Sequence, residues 1–542
     1  MSEVVNHAPA PRAKRDADYV FYELTRSICP ECRRVIDAQI ILRDDQVYMR
    51  KRCPEHGPFE ALVYADAQAY ASAARFNKPG TIPLEFSTAI EHGCPHDCGL
   101  CPDHQQHTCL GIIEVNSACN MDCPLCFANA GAGFNLTLEE VEGILDHLVA
   151  TEGNPEVVQF SGGEPSIHPD IIPMLRAAKK RNIRHVMLNT NGKRIAADDA
   201  FLADLADMKP TIYFQFDGFE RETSRLLRGE PDILPLKLRA LDRLAEAGLS
   251  VVLVPAVERE VNLGEVGAIV RFAIAHPAVR GINFQPAFHA GRHLAFDPLR
   301  RLTIPDILRE LERQTAGLFA VTDFVPVPCC FPTCNSVTYA LIDGETVLPL
   351  PRVLDVEDYL DYITNRVTPD LSDDIKAALE GLWSSSAVAG SDTAARQFAL
   401  SCAACGLPDG PDGLDLGAFA RNIFMIMLQD FMDPWTFNQK NLMKCCKEFL
   451  LPDGKQIPFC AYNTLGYREQ ARTQLAARER ARHQARRAGT PYTPAPLTFT
   501  FAPTAPVGVN GHRPTLVHGH EVIGVADRRD GHEKKGGPAN GA

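Results

Sequence analysis

No excess of positive charge runs through this chain, and that absence removes one class of partner. Lysine and arginine number 55 against 68 aspartates and glutamates, a formal charge of −13, so no global field draws the chain to nucleic acid. Long apolar runs are missing as well. Nothing approaches the roughly 18–20 uninterrupted apolar residues that a membrane-spanning helix requires. The opening residues, MSEVVNHAPAPRAKRDADYV, lack the apolar centre of a secretory signal. The expectation is a cytoplasmic protein whose only membrane contact, if it has one, is peripheral at the inner face.

What the chain does have is cysteine. Eighteen cysteines stand in 542 residues, and they are grouped at 29/32/53, 94/98/101/109, 119/123/126, 329/330/334, 402/405 and 445/446/460. In a chain that is not exported, thiols stay reduced, so such groups read as metal or redox ligands rather than disulfide staples. Cys119, Cys123 and Cys126 form a C-x3-C-x2-C triplet directly after the apolar run 110–116. Three thiolates this close hold three irons of a [4Fe–4S] cluster and leave the fourth iron free to bind a small molecule. A zinc knuckle or three unrelated core thiols is the plainer reading.

Cys94, Cys98 and Cys101 repeat that spacing, with Cys109 as the obvious fourth ligand of an auxiliary cluster; an open iron or a distant ligand is the other option. The nearby His92, His96, His104 and His107 read as solvated loop residues. Earlier still, Cys29, Cys32, Cys53 and His56 flank a hairpin that turns at 43–46 and suit one tetrahedral ion, zinc or a rubredoxin-like iron. Toward the C-terminus, Cys334, Cys445, Cys446 and Cys460 are the favoured ligands of a second auxiliary cluster. Adjacent cysteines seldom serve one cluster together, so Cys330 is a possible replacement. Cys402 and Cys405 have no obvious partners.

From 110 to about 290 the pattern is strand, loop, helix, repeated. Strands are expected at 111–116, 156–160, 184–189, 211–216, 250–256 and 280–285, with helices between them; Thr137 and Glu140 make a capping box for the first. Six such units predict an α/β fold, an open (β/α)6 partial barrel with an N-terminal metal-knuckle module and a C-terminal iron–sulfur domain. The boundaries are 1–18 disordered, 19–80 zinc-ribbon or rubredoxin-like, 81–109 auxiliary cluster segment, 110–290 barrel, 291–467 C-terminal domain, and 468–542 basic helix and disordered tail.

Sites in such sheets form at the carboxyl ends of strands. There stand Ser161-Gly162-Gly163-Glu164-Pro165, then Asn189 and Asn191, then Gln215 and Asp217. Glycines permit close backbone approach, and an acidic side chain suits an ammonium; the amides equally suit helix capping. Arg259 and Arg292 are weaker candidates for an anion, since either alone is more often a solvated surface residue. The soft apolar stretch 421–432 reads as core, or as the lining of an alkyl tunnel. Residues 468–487, with seven arginines against two glutamates, read as a solvated helix or one drawn to anionic headgroups.

Together these motifs carry a resemblance. CPEC…CPEHG, GCPHDCGLCP, CNMDCPLCFA, FSGGEP, LNTNG, YFQFDG, RGINFQP and the terminal FMDP…KCC…PDGKQIPFCAYN resemble the tetraether lipid synthase-like branch of the radical S-adenosylmethionine (SAM) superfamily, whose relatives include pterin methyltransferases. The resemblance implies SAM on the iron left open by Cys119, Cys123 and Cys126, with Gly162, Gly163 and Glu164 at its amino group and Asn189, Asn191, Gln215 and Asp217 near its ribose or carboxylate. It implies three [4Fe–4S] clusters, one mononuclear zinc or iron, and an electron donor such as ferredoxin or flavodoxin. Homolysis of SAM would give a 5′-deoxyadenosyl radical that takes hydrogen from an unactivated carbon. Two outcomes follow: joining of lipid alkyl chains, or methylation of a reduced pterin. A lipid enzyme needs a channel wide enough for an alkyl chain, and a pterin enzyme a small polar pocket.

Overall fold

The computed structural model describes residues 16–293, 296–328, 330–344, 346–353 and 422–500, with two short strands at 517–518 and 521–522. The expected disorder of the first residues, most of the C-terminal tail, Cys329, Cys402 and Cys405 lie outside these. The N-terminal unit is an antiparallel meander of β1 (Val20–Ile28), β2 (Val35–Arg43), β3 (Gln46–Cys53) and β4 (Gly57–Tyr64). The hairpin expected at 35–50 is β2–β3, turning on Asp44 and Asp45, both at positive φ. Sequence reasoning missed β1 because it is an edge strand whose Val20, Phe21 and Leu24 face outward, so its apolar residues carry no inward alternation. Helix α1 (Ala67–Ala73) follows.

The six expected strands are β5 (Leu110–Asn116), β6 (Val157–Gly162), β7 (His185–Thr190), β8 (Thr211–Gln215), β9 (Val251–Val254, with the short β10, Ala256–Val257, after it) and β11 (Val279–Pro286). They lie parallel in the order β5-β6-β7-β8-β9-β11, with helices α2 (Leu138–Glu152), α3 (Ile171–Lys179), α4 (Lys193–Ala197), α5 (Asp199–Met208), α6 (Arg221–Arg228), α7 (Leu234–Glu246) and α8 (Val266–Ala275) between them. Thr137 caps α2 in a capping box with Glu140, and the helix buries Val141, Ile144, Leu145 and Leu148 against the sheet. Helix α6, RETSRLLR, was not anticipated because its buried face is Thr223, Ser224 and Leu227, too polar to show a periodic apolar stripe.

Beyond α9 (Ile304–Gln314), the chain returns to the same sheet. It adds β12 (Val325–Pro326), β13 (Asn335–Asp343), β14 (Thr346–Pro349) and β15 (Ile423–Gln429) on the β11 edge. After α10 (Gln439–Leu442) it adds β16 (Lys447–Leu450) and β17 (Gln456–Pro458) on the β5 edge. The apolar stretch 421–432 is thus largely β15, parallel to β11, with Phe424, Ile426 and Leu428 in the core. Because β15 is parallel to β11 and β16 to β5, the parallel array extends past six strands at both edges and ends where β13 and β17 pair antiparallel. The two edges meet side by side: Lys447 Nζ on β16 donates to Asn335 Oδ1 on β13 at 2.8 Å.

Helices α11 (Phe459–Thr464) and α12 (Tyr467–Ala488) end the ordered core. Despite its arginines, α12 is no free solvated helix: it buries Arg468, Ala471, Leu475 and Arg478. Residues beyond it run back along its side, Arg478 Nε donating to Ala495 O and Gln474 Nε2 to Thr498 O, both at 2.7 Å. No helix among the described residues is long and apolar enough to cross a membrane.

Candidate active site and metal centres

The loop after β5 brings Cys119, Cys123 and Cys126 into one group, with Met121 and Ile233 packed against them. Burial pushes the Cys119 thiol up to about 11, so thiolate there requires a compensating positive charge, which a metal cluster supplies. The loop is tied from three sides. Gly163 N donates to Asn116 O at 2.9 Å and Glu164 N to Ala118 O at 2.8 Å, which extends the β5–β6 ladder into the cysteine loop. Arg292 donates to Cys123 O at 3.3 Å and Ala130 O at 2.5 Å, pairs with Asp122, and gives its backbone N–H to Cys126 O at 3.1 Å. From α12, Arg472 donates to Ala128 O and Asn129 O at 2.6 and 2.8 Å.

The glycines of the Gly-Gly-Glu segment have a packing role the sequence did not suggest. A Cβ on Gly163 would stand 2.1 Å from Ala118 O, and one on Gly162 2.4 Å from Asn116 O. The close approach is thus to the chain's own cysteine-bearing loop. Glu164, 2% exposed, accepts from Ser166 N, Thr190 Oγ1 and Asn191 N at 3.1, 2.7 and 2.8 Å. Asn191 is similarly engaged, its Nδ2 donating to Asn120 Oδ1 at 2.7 Å. Asp217 forms a two-bond pair with Arg228 at 2.7 and 2.6 Å. These three carboxylate and amide groups brace the strand ends, while Gly162, Asn189 and Gln215 line the interior cavity.

That cavity, about 170 Å³, runs inside the sheet's curve. Its polar lining includes Glu114, Gln159, Tyr213, Gln215, Gln285, Gln429, Lys447 and Arg468; its apolar wall is Phe127, Phe288, Phe431, Phe449 and Phe459. Phe431 and Phe459 stack with centroids 4.2 Å apart. Arg468 pairs with Glu114, which also accepts from Tyr462 OH at 3.0 Å. Beneath the strand ends Lys237 Nζ donates to Gln215 O at 2.6 Å, Gln215 Oε1 at 3.0 Å and Asn191 O at 3.3 Å. Burial pulls its ammonium down to about 8. Sequence reasoning missed Lys237, Lys447 and Arg468, and also Gln159 and Tyr213. A signal for the last two exists: each is a polar residue within an otherwise apolar parallel strand, where both faces should be buried. Neither Arg259, which pairs with Asp306 at 2.9 Å, nor Arg292 lines the cavity.

In the N-terminal meander the ligand atoms of Cys29, Cys32, Cys53 and His56 all lie within 4.8 Å of one another. His56 Nδ1 stands 3.6 Å from Cys29 Sγ and 3.4 Å from Cys53 Sγ. Three sulfurs and one imidazole fit a closed tetrahedral zinc site. The other cysteines regroup relative to expectation. Cys109 does not join Cys94, Cys98 and Cys101; it packs with Cys330, Cys446 and Cys334, at the meeting of the two sheet edges. The cause is backbone geometry, because Cys109 N and Leu110 N both donate to Cys446 O at 3.0 Å. Cys445 and Cys460 lie near this group, and burial pushes Cys460 up to about 12. Cys94, Cys98 and Cys101 share a separate small pocket with His104. Two of the four loop histidines are not solvated: His104 is 7% exposed, and His107 Nδ1 lies 2.8 Å from Glu152.

Comparison with known proteins agrees with this layout. The HMPTM N-terminal zinc ribbon domain matches residues 21–65 and the radical SAM superfamily matches 113–273. The 7,8-dihydro-6-hydroxymethylpterin dimethyltransferase of Methanocaldococcus jannaschii is 33% identical over 479 residues, 82% of this chain and 94% of that protein. The Fe-coproporphyrin III synthase of Methanosarcina barkeri is 30% identical over 43% of this chain and 57% of that one. Among solved structures, Streptococcus suis SuiB bound to SAM aligns with a TM-score of 0.33 and 18% identity, over 39% of this chain and 47% of that chain. The chain belongs to the radical SAM superfamily of enzymes, in the family that includes the Methanocaldococcus pterin dimethyltransferase.

Proposed function

We propose that this protein is a radical methyltransferase acting on a reduced pterin. The observation that carries the reading is the cavity: amides, a phenol and an ammonium on strands (Gln159, Tyr213, Gln285, Gln429, Lys447) opposite a wall of five phenylalanines. A flat, polar heterocycle stacks on such a wall and hydrogen-bonds along its edge. Lys447, Tyr213, Gln285 and Gln429 already hold protein partners, and an alkyl chain would add no hydrogen bond to the capacity they have left. A relative matched over 82% of this chain carries a pterin in its name, which supports the same substrate class over lipid joining.

In this reading Cys119, Cys123 and Cys126 would hold the cluster that binds SAM; one SAM, reduced by one electron, would supply the carbon-centred radical, and a second SAM with a second electron from the same donor would supply the methyl group, leaving S-adenosylhomocysteine. The chain's own residues orient. Asn189 and Gln215 face the cavity at the strand ends, Lys237 fixes Gln215, and the aromatic wall keeps water from the reacting carbon. The two further cysteine groups hold auxiliary [4Fe–4S] clusters, the ribbon holds zinc, and a ferredoxin or flavodoxin delivers the electron. Anaerobic reconstitution with SAM, dithionite and 7,8-dihydro-6-hydroxymethylpterin tests this. The expected products are 5′-deoxyadenosine and a methylated pterin, both absent in Cys123→Ala. If 5′-deoxyadenosine forms without any change to the pterin, while a deletion strain lacks coupled lipids, the pterin assignment is wrong.

A further inference from the structure

We propose that the iron–sulfur group held by Cys94, Cys98 and Cys101 takes His104 Nδ1 as its fourth protein ligand. The inference rests on the reading that this triplet holds a cluster. Its expected fourth ligand, Cys109, is turned into the group with Cys330, Cys334 and Cys446. His104 lines the same small pocket as the three cysteines, is 7% exposed, and ends a tight turn in which its N–H donates to Cys101 O at 2.8 Å.

The ring's tautomer follows from its partners. Nε2 lies 2.7 Å from Cys445 O, and a carbonyl only accepts, so Nε2 carries the proton. With Nε2 committed to that carbonyl, Nδ1 is the ring nitrogen left to meet a metal. Behind Nε2, 3.7 Å away, is Glu448, fully buried, with neither carboxylate oxygen hydrogen-bonded among the described residues. A backbone carbonyl that accepts from the far nitrogen, here Cys445 O, is an arrangement that orients ligating imidazoles. One imidazole in place of a thiolate makes the site less negative and raises its reduction potential.

The test uses the full-length chain, grown with 15N-histidine, reconstituted anaerobically with iron and sulfide, and reduced with dithionite. Electron–nuclear double resonance should show a strongly coupled nitrogen in the wild type and in Cys109→Ala, and its loss in His104→Ala. His104→Cys should retain wild-type iron content, lack the nitrogen coupling, and lower the midpoint potential of one cluster; it keeps the test open should the alanine variant fold poorly. The assignment is overturned if the nitrogen coupling is absent from the wild type or survives both substitutions. It is also overturned if Cys445→Ala, and not His104→Ala, removes that cluster's signal. Unchanged iron content in Cys98→Ala would remove the underlying reading that the triplet binds a cluster.

Discussion

Arg468→Met tests how the C-terminal helix is locked to the barrel. Arg468 and Glu114 expose only 2% and 10% of their side chains, so their pairing is nearly dry. Arg468 Nε also donates to Asn463 Oδ1 at 2.9 Å, and the guanidinium lies 4.8 Å from the Tyr462 ring centre and 4.9 Å from that of Phe449. Methionine replaces much of the volume but leaves the Glu114 carboxylate with only the Tyr462 hydroxyl. Breaking a buried pair by removing one partner costs about 3–5 kcal/mol, chiefly through the charge left behind. Removing both charges is far cheaper, so Glu114→Gln/Arg468→Met should regain at least ~2 kcal/mol of that loss. Each kcal/mol moves the midpoint of a sizeable domain by about 2–4 °C, so the single variant should melt about 6–20 °C below wild type. The assay is anaerobic thermal unfolding followed by far-ultraviolet circular dichroism, with all variants at equal iron content. A single variant within about 2 °C of wild type, or a double variant no more stable than the single, would refute the reasoning.

Gly163→Ala should cost the cysteine loop its iron, because the new Cβ meets the Ala118 carbonyl, a backbone atom, at 2.1 Å; iron and sulfide analysis against Gly143→Ala, where a Cβ meets nothing within 4 Å, checks it. Cys32→Ser should release the ribbon's zinc and unfold residues 20–64 locally, seen as less than one zinc per chain by atomic emission and faster hydrogen exchange in that segment alone. Lys237→Met should change fold stability in a pH-dependent way. Lys237 has its folded pKa depressed to about 8 by burial, against 10.5 for an ordinary lysine, so above pH 8 the unfolded chain binds more protons. Its contribution to stability therefore rises with pH through that window, by up to ~1.4 kcal/mol per unit. Denaturation of wild type and Lys237→Met between pH 7.5 and 9.5 would show their difference growing in favour of wild type; a flat or falling difference contradicts the assignment.

How much of this was legible follows from the length scale of each signal. The six central strands were readable because apolar runs and helix caps are local: Thr137 and Glu140 announce α2 three residues apart. The spatial grouping of each cysteine triplet was readable for the same reason. Polar groups that serve the cavity were not, since Lys447 and Arg468 sit in stretches that look like ordinary charged surface until β16 and α12 are folded against β5. Grouping of the remaining cysteines failed for a related cause. Proximity in sequence assigned Cys109 to Cys101, yet strand pairing carries Cys109 to Cys446, 337 residues on. Spacing marks candidate ligands, and strand pairing decides which of them are neighbours.

The topology also gives the cysteine groups unequal standing relative to the cavity. Cys109, Cys330, Cys334 and Cys446 sit where the two sheet edges meet. Lys447, next to Cys446, reaches across that seam to Asn335 and lines the cavity, and Asn335 Nδ2 in turn donates to Cys330 Sγ at 2.8 Å. A cysteine group and the cavity thus share one hydrogen-bonded chain, Cys330–Asn335–Lys447. Lys447→Met breaks it without touching a cysteine. If the seam group exchanges electrons with bound substrate, that variant should shift one cluster's midpoint potential downward, since a positive charge next to a reduced cluster stabilises it, and should slow pterin methylation more than it slows 5′-deoxyadenosine formation. A variant that slows both steps equally would place Lys447 in substrate binding alone and leave the seam group a structural clasp.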